Sequence, residues 1–244
     1  MNYKNIEYCI YSLSLQHIHK STDLDIVLQP FHYNKKKNNM NDKTVDESLS
    51  LYCNLMSEIK MRTSAIVEIL KGHATTTYQN TNIEFMCLQI RKILELISMG
   101  SLVVNREEFD AIGKKYSEYW NAKLILQDVE RLNSDFYPIP IQVIQTNEPE
   151  VVNELKKLNS GFLTREDFVK IYDKCGRIMH SYNPFGSKID YEFYNANIKN
   201  WLNLIIGLLN THLVHIKGIE GFYLIHMKEN RDENVHGYYF GLDV

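Results

Sequence analysis

The chain has 244 residues, a formal charge of −3 at neutral pH, 44% hydrophobic residues and 23% charged ones. That is enough to bury one large domain, too apolar for a disordered chain, and without the net positive field that draws nucleic acid to a whole surface. Any contact with RNA or DNA therefore has to come from a local basic patch.

Cys9, Cys53, Cys87 and Cys175 are scattered and form no CxxC pair, which argues against a zinc site or a disulfide framework and for a reducing cytoplasm. The N-terminus lacks the basic start and apolar run of a secretory signal, so no export is expected. The most apolar run, Trp201 to Leu209, is interrupted by Asn203 and falls far short of the ~20 residues needed to cross a bilayer. No membrane partner is expected.

In chain order, residues 1–44 hold no single period and read as an arm or appendage to the domain formed by residues 45–244. Ile6 to Leu15 admits a strand or a short helix, and the Lys35 to Asn41 run is a solvated polar segment. From Val45 the pattern changes. Leu49, Tyr52, Leu55, Ile59, Ile66 and Ile69 mark one face of a long helix ending near Gly72. Ile83 to Val104 is apolar nearly all round, as expected of a central helix surrounded by others. Asn105 is read as the cap of a third helix running to Leu132, and Tyr137-Pro138-Ile139-Pro140 stops it. Ile141 to Ile144 reads as a short extended segment and Glu148 to Leu158 as a short helix.

Thr164 with Asp167 gives a capping-box-like start, and Phe168, Ile171, Tyr172, Cys175, Ile178 and Met179 then recur at helical spacing until Asn183-Pro184 stops the helix. A fifth long helix is predicted from Tyr191 to Ile216. A C-terminal β-hairpin follows within residues 218–244, built from Phe222 to Met227 and Val235 to Phe240. The expected fold is mostly α: a bundle of about five longer helices with a peripheral N-terminal arm and a small C-terminal hairpin.

The chemistry concentrates on the helix that starts at Thr164. Asp173, Arg177 and His180 stand at i, i+4 and i+7, so on a helix they share one face. Histidine accepts a proton near neutral pH, and a guanidinium offers fixed donors to the charge that develops on a phosphate. The pair suits phosphodiester cleavage, with Lys174, Asn183 and Asp173 as the groups that position substrate. The plain structural reading is a surface Asp173–Arg177 ion pair, with His180 placed at the negative end of the helix dipole. His212 and His215, three apart on the predicted fifth helix, form an edge without matched carboxylates or cysteines, so buried structural histidines are the better reading and no metal is expected. Arg91 and Glu95 form an i, i+4 pair on the central helix that is expected under the Arg177/His180 face or as a buried bridge.

A mostly helical bundle with Arg and His on the polar face of a late helix resembles the HEPN superfamily. That resemblance implies a metal-independent RNA endonuclease of bacterial toxin or phage-defence type. It would act as a homodimer without a cofactor, and an antitoxin or defence-system protein would be its partner. The family motif places about four to six residues between Arg and His, whereas Arg177-Ile178-Met179-His180 has two and carries Ile directly after the Arg. The alternative is a non-catalytic helical module that binds a partner protein or RNA.

Overall fold

The computed structural model describes residues 9–13, 26–28, 40–107, 121–145, 153–181, 183–216, 221–229 and 232–242. Among these, five helices are α1 (Met40–Leu70), α2 (Gln79–Val104), α3 (Ala122–Leu132), α4 (Arg165–Ile178) and α5 (Tyr191–Leu209). Seven strands are β1 (Cys9–Leu13), β2 (Ile26–Leu28), β3 (Ile139–Gln145), β4 (Asn153–Lys157), β5 (Thr211–His215), β6 (Gly221–His226) and β7 (His236–Leu242). Helix exceeds strand, and the fold is mostly α with a substantial sheet.

Helices α1 and α2 form an antiparallel pair. Tyr52 and Met56 in the middle of α1 pack on Gly100 near the end of α2, while Arg62 further along α1 donates to Gln89 at 2.8 Å. The turn between them is dictated by Gly72, whose φ of 76° only glycine adopts without strain. Its N–H donates to Ile69 O and that of His73 to Glu68 O, both at 2.9 Å, which satisfies the last carbonyls of α1 as a Schellman motif does. Helix α2 touches α1, α3, α4 and α5. Its nearly uniform apolar surface is thus spent against four neighbours, as its sequence implied.

The expected C-terminal hairpin is part of something larger. β6 and β7 pair antiparallel, but within a sheet of order β1-β7-β6-β5-β3-β4-β2 in which the β1–β7 pairing is parallel and the others antiparallel. Strand alternation gives the sheet two apolar faces. Val214, Tyr223 and Ile225 join the helical core, while Leu213, Phe222, Leu224 and Phe240 form a second cluster with Ile141 and Leu155.

Three expectations are corrected. The fifth helix stops at Leu209, and Thr211–His215 is β5, which pairs with β3 and β6. His212, Leu213 and Val214 are all buried, and a short run buried on both faces reads alike as helix or strand in sequence. The short helix expected at Glu148 to Leu158 is also overturned: Asn153–Lys157 is β4, held between β3 and β2, while residues 146–152 lie outside the described residues. The third helix expected from Asn105 to Leu132 is not continuous: residues 106–107 are helical, α3 starts anew from its N-cap Asn121, and the C-cap of α2 is Asn105. It is fully buried, donates to Ser101 O and accepts from Asn133; residues 108–120 lie outside the described residues. Of the N-terminal arm, β1 and β2 are described and pair with β7 and β4, and α1 begins at Met40, inside the segment expected to be arm.

Two contacts position α4. Leu163 N–H donates to Leu204 O at 2.8 Å, and α5 lies so close to the turn before α4 that a Cβ on Gly207 would stand 2.0 Å from Gly161 O. Backbone meets backbone there, so neither side can yield cheaply. Gly207→Ala is expected to cost about 3 kcal/mol, read as a lowered urea midpoint with an unchanged m-value.

His212 ties sheet to helices. Its Nδ1–H donates to Leu209 O at 2.8 Å and its Nε2 accepts from the Tyr52 hydroxyl at 2.9 Å, an arrangement that requires the neutral ring. Full burial pulls its pKa from 6.5 down to about 4. Below pH 6.5 the unfolded chain takes up a proton that the folded chain refuses, so stability falls with pH through that window and levels off near pH 4. The expected loss is about 3 kcal/mol. His215 and His226, also lowered by burial, act in the same direction. Urea unfolding at pH 7, 5.5 and 4.5 measures the loss, and His212→Gln is expected to flatten it.

Candidate functional site at the end of helix α4

Helix α4 begins where its sequence says it should. Thr164 is the N-cap, its hydroxyl accepting from Asp167 N–H at 3.1 Å and donating to the Asp167 carboxylate at 3.0 Å. Phe168, Ile171, Tyr172, Cys175 and Ile178 are buried, the face the periodicity predicted. The helix ends at Ile178 with Met179 as C-cap, one turn short of the expected stop. His180 therefore lies one residue beyond the cap, its N–H bonded to Arg177 O at 3.4 Å.

Three consecutive residues fasten α4 to three other helices. Tyr172 receives Arg91 of α2, whose guanidinium donates to the Tyr172 carbonyl at 3.2 Å and hydroxyl at 2.7 Å and lies 3.9 Å from the ring centroid. Glu95 completes that cluster, 3.3 Å from Arg91 Nε and accepting from Tyr172 at 3.3 Å. Asp173 receives Lys123 of α3, with both carboxylate oxygens 3.0 Å from Nζ. Lys174 leans over the Phe193 ring of α5 at 4.9 Å, and its carbonyl accepts from the Tyr194 hydroxyl.

These contacts rearrange the sequence-level constellation. The anticipated Asp173–Arg177 ion pair is not formed, because Lys123 takes the Asp173 carboxylate. Lys174 is directed to Phe193. Asn183 uses its side-chain oxygen on Phe185 N–H at 3.0 Å, and its carbonyl accepts from Gly186 N–H at 2.9 Å, which closes a tight turn. Arg177 and His180 remain exposed, with no side-chain hydrogen bond or ion pair to any described residue. Arg91 is where sequence suggested, against the helix that carries them.

Sequence reasoning missed Lys123, whose partner is visible only in three dimensions. Gly176 did carry a signal, since a glycine inside an amphipathic helix costs about 1 kcal/mol relative to alanine and calls for a packing reason. Here a Cβ would stand 2.7 Å from Arg91 Nη1. The buried thiol of Cys175 offers no nucleophile: its hydrogen bond with Cys87 and its burial hold it protonated, far above the ordinary thiol range. Among the described residues no group of three His, Cys, Asp or Glu side chains is placed to hold a metal ion. The chain matches no family model, no curated protein and no solved structure.

Because Arg91 needs the space over Gly176, the two positions are coupled. Gly176→Ala and Arg91→Ala are each expected to cost about 1–2 kcal/mol. The double variant should cost clearly less than their sum, since alanine at 176 meets nothing once the guanidinium is gone. A denaturation double-mutant cycle measures it, and additive costs would contradict the contact.

Proposed function

We propose that the protein is a HEPN-like, metal-independent RNA endonuclease of toxin or phage-defence type, working in the cytoplasm as a homodimer whose helical bundles bring two Arg177/His180 pairs together. The observation that carries this reading is the state of those two side chains: exposed, three positions apart in the chain, without a partner among the described residues, and carried at the end of a helix that three neighbours anchor. His180 accepts the proton of a ribose 2′-hydroxyl, the 2′-oxygen attacks the adjacent phosphorus, and Arg177 stabilises the phosphorane. The 5′-oxygen leaves with a proton from water, giving a 2′,3′-cyclic phosphate and a 5′-hydroxyl. The Asn183 amide would help hold phosphate; Asp173 and Lys174, committed to α3 and α5, support the helix instead. An antitoxin or defence-system protein that covers the α4 end would silence the enzyme.

A second reading has an observation of its own. The α4 end is open, and a cavity of about 150 Å³ lies elsewhere, between α1 and α5 around Ile59, Ile205 and Met227. An open face with a cation suits a module that holds RNA, or a partner protein, without cutting it.

The two readings separate in one experiment. Purified protein incubated with RNA in EDTA is expected to yield fragments ending in cyclic phosphate. His180→Ala should lower the cleavage rate by about 10²- to 10⁴-fold with no change in thermal midpoint, because the side chain is exposed. Arg177→Lys should also lower it, since the charge is kept and the planar fork is lost. Wild-type protein that is folded, binds RNA and cuts none would move the binding module ahead.

A further inference from the structure

We infer that the cavity between α1 and α5 binds a small aliphatic carboxylate, whose tail fills the apolar floor and whose carboxylate is taken by Lys60 and Lys228 in place of Glu233. The site is separate from the α4 end and stands whether or not that end meets RNA. Its floor is formed by Ile59 of α1, Ile205 and Leu209 of α5 and Met227 just past β6, around about 150 Å³ of space open on one side. Apolar space of that size takes a benzene-sized group, and its walls offer water too few partners to hold it there. The frame is pinned. Met227 N–H donates to Asn210 O at 3.0 Å, at the cap of α5, and Lys60 of α1 donates from Nζ to Met227 O at 3.1 Å.

The rim decides what the cavity can receive. Lys60 and Lys228 both line it and converge on one carboxylate, that of Glu233, with Lys60 Nζ 3.2 Å from Oε2 and Lys228 Nζ 3.7 Å from Oε1. Two cations, one to each oxygen, make a carboxylate seat. The Lys60 hydrogen bond, and then the Lys228 charge, hold the Glu233 carboxyl below the ordinary carboxylate range. Glu233 is nonetheless easy to replace, because its side chain is 75% exposed and an exposed ion pair costs little to exchange. It supplies a carboxylate and no tail. A ligand with both ends gains the floor contacts that Glu233 does not make, in the usual pattern of apolar walls and a few polar groups that fix orientation. A cation is repelled by the two lysines, and a flat protein surface cannot reach Ile59, Ile205 and Leu209, each 1% exposed. The occupant is therefore narrow, aliphatic and anionic.

The test uses hexanoate as the probe, with acetate as the head without the tail and hexylammonium as the tail with the opposite charge. Methyl NMR spectra of the full chain, labelled at Ile and Met, report on Ile59, Ile205 and Met227. Hexanoate is expected to shift those methyls at millimolar concentration. Acetate should bind about a hundredfold more weakly, for want of the methylenes that the floor takes up, and hexylammonium should not bind. Lys228→Met, at an exposed rim position, should weaken hexanoate about tenfold, and Lys60→Met should do the same. Glu233→Gln removes the competing charge and should tighten hexanoate several-fold. Equal binding of hexanoate and hexylammonium, or wild-type affinity in both lysine variants, overturns the carboxylate seat. Unchanged affinity in Glu233→Gln overturns the exchange with Glu233. Shifts confined to other methyls, or no shifts at all in the folded wild type, overturn the site.

Discussion

The seat of Arg91 on α4 is the interaction on which the rest of the α4 end depends. A helix carbonyl has a second lone pair that its own ladder does not use, and at Tyr172 the missing side chain of Gly176, one turn further on, leaves room for a guanidinium to reach it. The same guanidinium covers the Tyr172 ring and meets Glu95. A partly buried charge is costly unless its donors are taken up; here carbonyl, phenol and carboxylate take them. Because Arg91 is rooted in α2, the helix that touches the other four, α4 is fixed to the centre of the molecule rather than to its periphery.

Residues 172, 173 and 174 are then engaged by α2, α3 and α5 in turn, and past the Cys175–Cys87 contact only the apolar Ile178 is buried before the helix ends. Arg177, the last basic residue of the helix, is the first charged side chain past the clamp, and His180 follows beyond the cap. A helix that ends in donors without a partner among the described residues differs from an ordinary surface helix, whose charges pair along its own length. Lys123 is the reason for the difference, since it removes Asp173, the carboxylate that would otherwise neutralise Arg177.

Local signals in the chain were sufficient for much of this. Thr164 and Asp167 announce the start of α4, Gly72 the end of α1, and the all-round apolar pattern of Ile83 to Val104 the central position of α2. Each is a short-range matter of caps, φ angles and periodicity. The sheet was far less legible. Thr211 to His215 continues the apolar run of α5 without a break in pattern, and the switch to strand is made by pairing with β3 and β6, which no local window contains. The charged alternation of Asn153–Lys157 likewise becomes a strand only because two partners flank it. At the site, Arg177 and His180 were visible as residue types, while their freedom from Asp173 was not, since it depends on a lysine fifty positions away.

The openness of the α4 end also bears on what it can do alone. At 4 Å, two unit charges in bulk water interact by about 1 kcal/mol, against about 4 kcal/mol near a protein surface of intermediate polarity. An exposed Arg177 facing water would attract phosphate but contribute little selective stabilisation to a phosphorane, whose extra charge has to be met in a drier setting. Rate acceleration of the size expected from an acid–base pair requires the face to be covered when RNA is on it, and in this fold the covering surface has to come from outside the described helices. On the proposed reading a second copy would supply it symmetrically, placing another Arg177 and His180 across the phosphodiester. On that reading dimerisation and cleavage would be one requirement rather than two, and a monomer that holds RNA without cutting it would be the physical expectation for the same face left open.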